Sequence, residues 1–229
     1  MKFIIGNWKM NGTPSDKESM LTTLANTKTK NKIVLCLPFT LLNGNNNCGI
    51  AIGAQDVSNH ENGAFTGDIS AKMLNDSDVK YVIVGHSERR LYHNETNEIV
   101  REKATIAIKH GITPIICVGE TLEEKNTGHT ISVIKKMLLE SIPETGEYIV
   151  AYEPRWAIGT GLTPSTNEIV TAVKAVFDTL PNPMPILYGG GVNANNAHDI
   201  ASIPYIDGLL IGGASLKSDT FLPIIKSID

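Results

Sequence analysis

Three side chains able to move protons or hold developing charge, Lys9, His86 and Glu153, each follow a short apolar run. Phe3-Ile-Ile-Gly leads into Asn7-Trp8-Lys9, Tyr81-Val-Ile-Val-Gly into His86, and Tyr148-Ile-Val-Ala-Tyr into Glu153. Pro154 disfavours helical backbone at the residue before it, so Glu153 is expected to stay extended, its carboxylate aimed off the strand end. His86 opens a helical segment near Glu88, where the positive end of the helix dipole disfavours an imidazolium; the ring is expected to be a neutral donor. A carboxylate that takes a proton from carbon, beside an imidazole and an ammonium that polarise the neighbouring carbonyl, suits an enolisation. Singly, each residue has a plainer reading: a solvated lysine, a satisfied core or helix-start histidine, a structural ion pair of Glu153 with Arg155 or another base. Their coincidence at strand exits favours chemistry, and no acyl-transfer nucleophile or metal-ligand spacing competes with it.

Glycines at two further exits suggest an anion. Gly212-Gly213 separates the strand-like Asp207-Gly-Leu-Leu-Ile from the helical run Ala214–Lys217, so its amides are expected to face an anion at a helix start, with phosphate the natural ligand. Gly189-Gly-Gly-Val-Asn-Ala194 matches the G-x-G-x-x-A spacing of a dinucleotide site. Only about 35 residues follow it, too few for the βα units that such a domain still needs.

Elements must carry these residues to one place. Eight apolar runs begin near Phe3, Lys32, Ile50, Tyr81, Ile112, Tyr148, Pro185 and Asp207, on average about 29 residues apart, the length of one βα unit. Helical patterns separate most of them. One is read as continuous from Glu88 to His110, closed by Gly111; another starts at Ser165, where Ser165 and Glu168 fit a capping box. Between Leu37 and Ile50 the asparagine- and glycine-rich run leaves room for at most one helical turn near Thr40–Asn43. The expectation is an α/β fold, a (β/α)8 barrel formed as one domain over residues 1–229, with a reduced helix after the second strand. Such a barrel collects its chemistry at the C-terminal ends of its strands.

Composition narrows the classes of partner. The 229 residues are 41% hydrophobic and 19% charged, with a net charge of −4 and few aromatics, which offers neither the basic footprint nor the stacking platform of a nucleic-acid binder. No apolar run reaches the length of a membrane span, and Gly6-Asn7-Trp8-Lys9 interrupts the N-terminus before a signal sequence could form. Cys36, Cys48 and Cys117 read as thiols in a reducing compartment, and the protein is expected in the cytoplasm.

Eight segments in order carry a resemblance over nearly the whole chain: NWKMNG from Asn7, GAQDVS from Gly53, GAFTGDIS from Gly63, VIVGHSERR from Val82, CVGETLEEK from Cys117, AYEPRWAIGTG from Ala151, YGGGVN from Tyr188 and LIGGASL from Leu210. Together they resemble the triosephosphate isomerase family. The resemblance implies interconversion of dihydroxyacetone phosphate and D-glyceraldehyde 3-phosphate through an enediolate, in glycolysis and gluconeogenesis, with no cofactor or metal. It implies that Glu153 is the base, His86 the electrophile, Lys9 the cation that steadies the enediolate and Asn7 an orienting group. The amides of Gly159, Gly191, Gly212 and Gly213 would hold the phosphate. Pro154-Arg155-Trp156 would be the hinge, and Ala157-Ile158-Gly159-Thr160-Gly161 the tip, of a closing lid; the resemblance implies both this lid and the neutral histidine. A homodimer is implied, built around the loop His60–Gly67, with Phe65 exposed and Thr66 at its tip.

Three departures stand out: a short Leu162-Thr163-Pro164 second hinge, the reduced helix after the second strand, and Gly191 where the family usually carries serine. Two rival functions differ in class. Another sugar-phosphate isomerase on this fold would use paired acids at two exits, whereas a silent binding barrel would have lost one of Lys9, His86 and Glu153.

Overall fold

The computed structural model describes residues 1–43 and 49–229. Eight strands, β1 (Phe3–Asn7), β2 (Lys32–Leu37), β3 (Ala51–Ala54), β4 (Tyr81–Val84), β5 (Thr113–Val118), β6 (Ile149–Tyr152), β7 (Ile186–Tyr188) and β8 (Gly208–Ile211), pair in parallel and close into a barrel in chain order. Closure sets Ile5 of β1 level with Val34 of β2 on one side and with Leu210 of β8 on the other. The helices are α1 (Pro14–Ala25), α2 (Ala71–Asp76), α3 (Ser87–Tyr92), α4 (Asn97–Lys109), α5 (Leu122–Asn126), α6 (Thr130–Ser141), α7 (Thr166–Thr179), α8 (Ala197–Ala201) and α9 (Ser218–Ser227). A dinucleotide-type open sheet is thereby excluded, and Gly189–Ala194 follows the seventh strand of a closed one.

Strand alternation divides the core in two. Ile5, Val34, Cys36, Ile83, Ile115, Cys117, Ile149, Ala151, Leu187 and Leu210 pack with one another as one cluster, two residues apart wherever a strand contributes a pair. That is the period of side chains on one strand face, and these residues fill the barrel interior. Their strand neighbours, such as Ile4, Leu35, Val150 and Leu209, belong to a second cluster against the helices. On α4, Val100, Ala104 and Ala107 are buried at helical spacing, the stripe that an amphipathic helix lays on a sheet. Truncating an interior residue such as Ile115 to alanine is worth about 2–5 kcal/mol in a packed core of this kind.

Local chemistry sets the boundaries. Ser165 caps α7 in the expected box, its hydroxyl accepting from the Glu168 amide while Glu168 accepts from the Ser165 amide. The helix expected to run unbroken from Glu88 to His110 is instead two. α3 ends at Tyr92, Asn94 adopts a left-handed φ of 54°, and the Thr96 side chain caps α4 by accepting from the Ile99 amide. The break turns Glu95 inward, where one carboxylate oxygen meets both Arg89 Nε and Lys103 Nζ at 2.6 Å. After β2 only a 3₁₀ turn, Phe39–Leu41, is formed among the described residues; the rest of the asparagine-glycine run, with Cys48, lies outside them. The run after Gly212 is also a single 3₁₀ turn, Gly213–Ser215, rather than a helix.

Candidate active site

Glu153 follows from the alternation. Ile149 and Ala151 face the barrel axis, so the next residue of that parity, Glu153, points inward at the top of β6. Its neighbours leave room for it. A Cβ at Gly119 would stand 1.8 Å from the Glu153 carbonyl oxygen, and one at Gly189 would stand 2.8 Å from Glu153 Cγ. Both glycines occupy the inward position at the exits of β5 and β7, and any larger residue there would displace Glu153. The side chain is 3% exposed. One carboxylate oxygen lies 3.3 Å from His86 Nε2; the other is buried and has no hydrogen-bond partner. Arg155 makes no ion pair with it among the described residues; the base beside Glu153 is His86.

His86 is the N-cap of α3, and its Nδ1 accepts the Glu88 amide N–H at 3.2 Å. This places the ring proton on Nε2, facing Glu153. The sequence considered only the helix dipole; the structure adds two carboxylates. Burial pushes the His86 pKa down, but Glu153 and then Glu88 pull it up, and the net direction is above the ordinary histidine value. In the ligand-free site the expected depression is therefore overturned, while the amide at Nδ1 still fixes the tautomer. Burial pushes the Glu153 carboxyl up, yet His86 and then Lys9 hold it below the usual glutamate value, so it is ionised at neutral pH.

Lys9 sits in a strained turn. Its φ is 53°, the left-handed region that costs a non-glycine residue about 1–2 kcal/mol. Asn7, of inward parity on β1, stabilises the turn by accepting the Lys9 amide at 3.0 Å. The ammonium reaches Glu88 Oε1 at 2.6 Å. The buried Trp8 between them donates its indole N–H to the Ser215 carbonyl, tying the β1 exit to the β8 exit. Asn7, Lys9 and His86 line one side of a cleft of about 370 Å³ that runs out past Met10, Phe39 and Tyr92.

The phosphate-side glycines are open. A Cβ at Gly213 would meet nothing within 4 Å and one at Gly212 only Lys9 Cε at 3.5 Å. Gly159, at the tip of the segment Pro154–Gly161, is equally free, and residues 159–163 are exposed. The base of that segment is anchored. Arg155–Ala157 forms a 3₁₀ turn, the Trp156 indole donates to Glu120 at 2.8 Å, and the Arg155 amide donates to the Glu120 carbonyl at 3.0 Å. Gly191 has no left-handed φ, and a Cβ there would stand 3.5 Å from the Leu162 carbonyl oxygen and 3.7 Å from Thr163 Oγ1.

The structure thus gathers Asn7, Lys9, His86 and Glu153, and places the four glycines at the neighbouring exits and lid tip without joining them. Sequence reasoning gave neither Glu88 nor Glu120 a role. Glu120, buried, also accepts the Tyr152 hydroxyl at 3.2–3.3 Å and so joins β6 to the hinge. The signal available was a carboxylate just past the end of a β-strand, as at Glu153.

The model of the triosephosphate isomerase family matches residues 2–228. The chain belongs to the triosephosphate isomerase family. It is 44% identical over 248 residues to the triosephosphate isomerase of Paracidovorax citrulli, covering 99% of this chain and 98% of that protein. Identity to the Albidiferax ferrireducens enzyme is 45% over 245 residues, covering 99% and 98%. The crystal structure of triosephosphate isomerase from Bartonella henselae superposes with a TM-score of 0.87 at 34% identity, covering 99% of this chain and 98% of that one. As a member of the triosephosphate isomerase family, the chain is an enzyme, an intramolecular isomerase, on the family's barrel.

Proposed function

We propose that this site interconverts dihydroxyacetone phosphate and D-glyceraldehyde 3-phosphate, in glycolysis and gluconeogenesis, with Glu153 as the base. The Glu153 carboxylate takes a proton from C1 of the ketose while negative charge grows on the C2 oxygen. Lys9 Nζ and the Nε2–H of His86 receive that charge, with Asn7 orienting the substrate beside Lys9. His86 then moves the hydroxyl proton from the C1 oxygen to the C2 oxygen, and Glu153 returns its proton to C2, so both carbons balance without an external reagent. The observation that carries this reading is the buried Glu153 carboxylate. An acceptor oxygen left unpaired in a dry site costs about 1–3 kcal/mol and gains a use when a substrate C–H stands in front of it.

In this reading the amides of Gly159, Gly191, Gly212 and Gly213 hold the phosphate, and Pro154–Gly161 is the lid that excludes water from the enediolate. The test is a coupled assay on the wild-type protein and on Glu153→Gln. We expect the variant to fold normally and to turn over about 10²–10⁴-fold more slowly. Activity within about tenfold of wild type would remove Glu153 from the mechanism.

The same reading takes residues 1–229 as one domain that works as a cytoplasmic homodimer. Among the described residues no helix is long and apolar enough to cross a membrane. Met10 is 95% exposed beside Lys9, and Phe65 is 43% exposed although its ring stacks on His60 with centroids 3.7 Å apart. Apolar groups presented this way suit a second copy, with the Thr66 tip entering the cleft past Phe39. Sedimentation at micromolar concentration is expected to give a dimer, and a monomer alone would contradict it.

A further inference from the structure

Lys125, on the short helix α5, makes two contacts that nothing in the mechanism above requires. Its ammonium stands 3.6 Å from the centroid of the Trp156 ring and 2.9 Å from Glu168 Oε1. Trp156 belongs to the first hinge of the lid. Glu168 belongs to the first turn of α7, which starts at Thr166 just beyond the second hinge, Leu162-Thr163-Pro164. One cation therefore links the two ends of the segment proposed to close.

Each partner is oriented before Lys125 reaches it. The indole N–H of Trp156 is held by the buried Glu120 carboxylate, so the ring presents its face to the ammonium, the geometry of a cation–π contact. Oε2 of Glu168 accepts both the amide and the hydroxyl of Ser165, which leaves Oε1 for Lys125. Lys125 first, then Ser165, hold the Glu168 carboxyl at about 2, so the ion pair is formed throughout the neutral range. The helix that carries Lys125 is itself pinned next to Glu120 by the reciprocal cap of Thr121 and Glu124.

These contacts are made while the lid tip, residues 159–163, is exposed and a Cβ at Gly159 or Gly213 would meet nothing within 4 Å. In the lid reading, lowering the tip must turn the first hinge, which carries Trp156, relative to α5. A contact made in one state and lost in the other biases the equilibrium by its own strength. We propose that Lys125 is a positioning residue that holds both hinges of the lid in the raised state, and so sets how readily the enzyme closes on phosphate. This rests on the lid reading given above. Exposed contacts of these two kinds are each worth a small factor, so losing both should raise the closed population roughly two- to fivefold.

The experiment compares wild type, Lys125→Met, Lys125→Arg and Glu168→Gln for kcat, KM and the Kd of glycerol 3-phosphate, a substrate skeleton that cannot enolise. Tryptophan emission follows the hinge directly, since Trp156 is half-exposed and the other tryptophan, Trp8, is 1% exposed in the core. Lys125→Met should change the ligand-free emission and lower Kd and KM together by about two- to fivefold, with kcat equal or lower. Lys125→Arg, which keeps the charge over the ring, should restore wild-type values. Glu168→Gln keeps a capping-box residue but loses the ion pair, and should show a smaller part of the effect. Unchanged Kd and emission in a folded Lys125→Met variant, or a fall in activity and thermal midpoint with no change in KM, would overturn the proposal. If the wild-type protein does not isomerise triose phosphates, the functional reading fails instead; the Kd of glycerol 3-phosphate in Lys125→Met against wild type still decides whether Lys125 holds the hinge.

Discussion

At the exits of β4, β5 and β6 the functional groups are side chains held by neighbouring hydrogen-bonding groups, whereas at the exits of β7 and β8 the chain offers bare backbone. His86, Glu120 and Glu153 are all buried, and each is fixed by a neighbour: the Glu88 amide, the Trp156 indole, the His86 ring. A Cβ at Gly213 would face open space, and one at Gly212 would meet only Lys9 Cε. Proton transfer depends on distances of a fraction of an ångström, so that half is rigid before substrate arrives. A phosphate needs only amides of the right polarity and room to enter, and the remaining contacts come from the lid.

Gly189 marks the border between the halves, because it lies at the β7 exit yet serves the base. Gly189→Ala would put a methyl carbon 2.8 Å from Glu153 Cγ, a contact that must push the carboxylate aside. A displacement of that size is expected to lower kcat by about 10²-fold while substrate binding changes little. Wild-type kcat in this variant would show that the packed half is not as rigid as described.

The second test lies on the open side and is smaller. Gly191 has ordinary backbone φ and ordinary contact distances at its Cβ position, so Gly191→Ser fits without strain, and its hydroxyl would come near the Leu162 carbonyl and Thr163 Oγ1. Where that hydroxyl bonds the lowered lid, as the resemblance implies for the family's serine, a hydrogen bond of about 0.5–1.5 kcal/mol favours closure about two- to twelvefold. The measurement is the ratio of methylglyoxal formed by phosphate elimination to triose phosphate isomerised; it should fall. An unchanged or higher ratio in the folded variant would mean that this lid does not lack a latch at residue 191.

How much of this was legible in the sequence follows the same division. The eight strands and the extended Glu153 at a strand exit could be read from apolar runs and Pro154, because both signals are local. The break at Asn94 could not. It depends on Arg89 and Lys103 drawing Glu95 into the interior, a tertiary preference that overrides the helical pattern between Glu88 and His110. The purpose of Gly119 and Gly189 was also hidden, since each is small for the sake of a residue on another strand. The protonation of His86 was read from one field, the helix dipole, where the folded site has three.

The central claim is that a buried carboxylate carries the transferred hydrogen as a proton, and its most direct test is isomerisation of dihydroxyacetone phosphate in D₂O. The glyceraldehyde 3-phosphate formed by the wild-type protein is then examined by NMR for deuterium at C2. A proton held on Glu153 can exchange with solvent during lid motion before it is returned, so a measurable fraction of the product is predicted to carry deuterium at C2. Full-rate turnover into product with no deuterium at C2 would mean that the hydrogen passes between the carbons without visiting an exchangeable base, and would contradict the account.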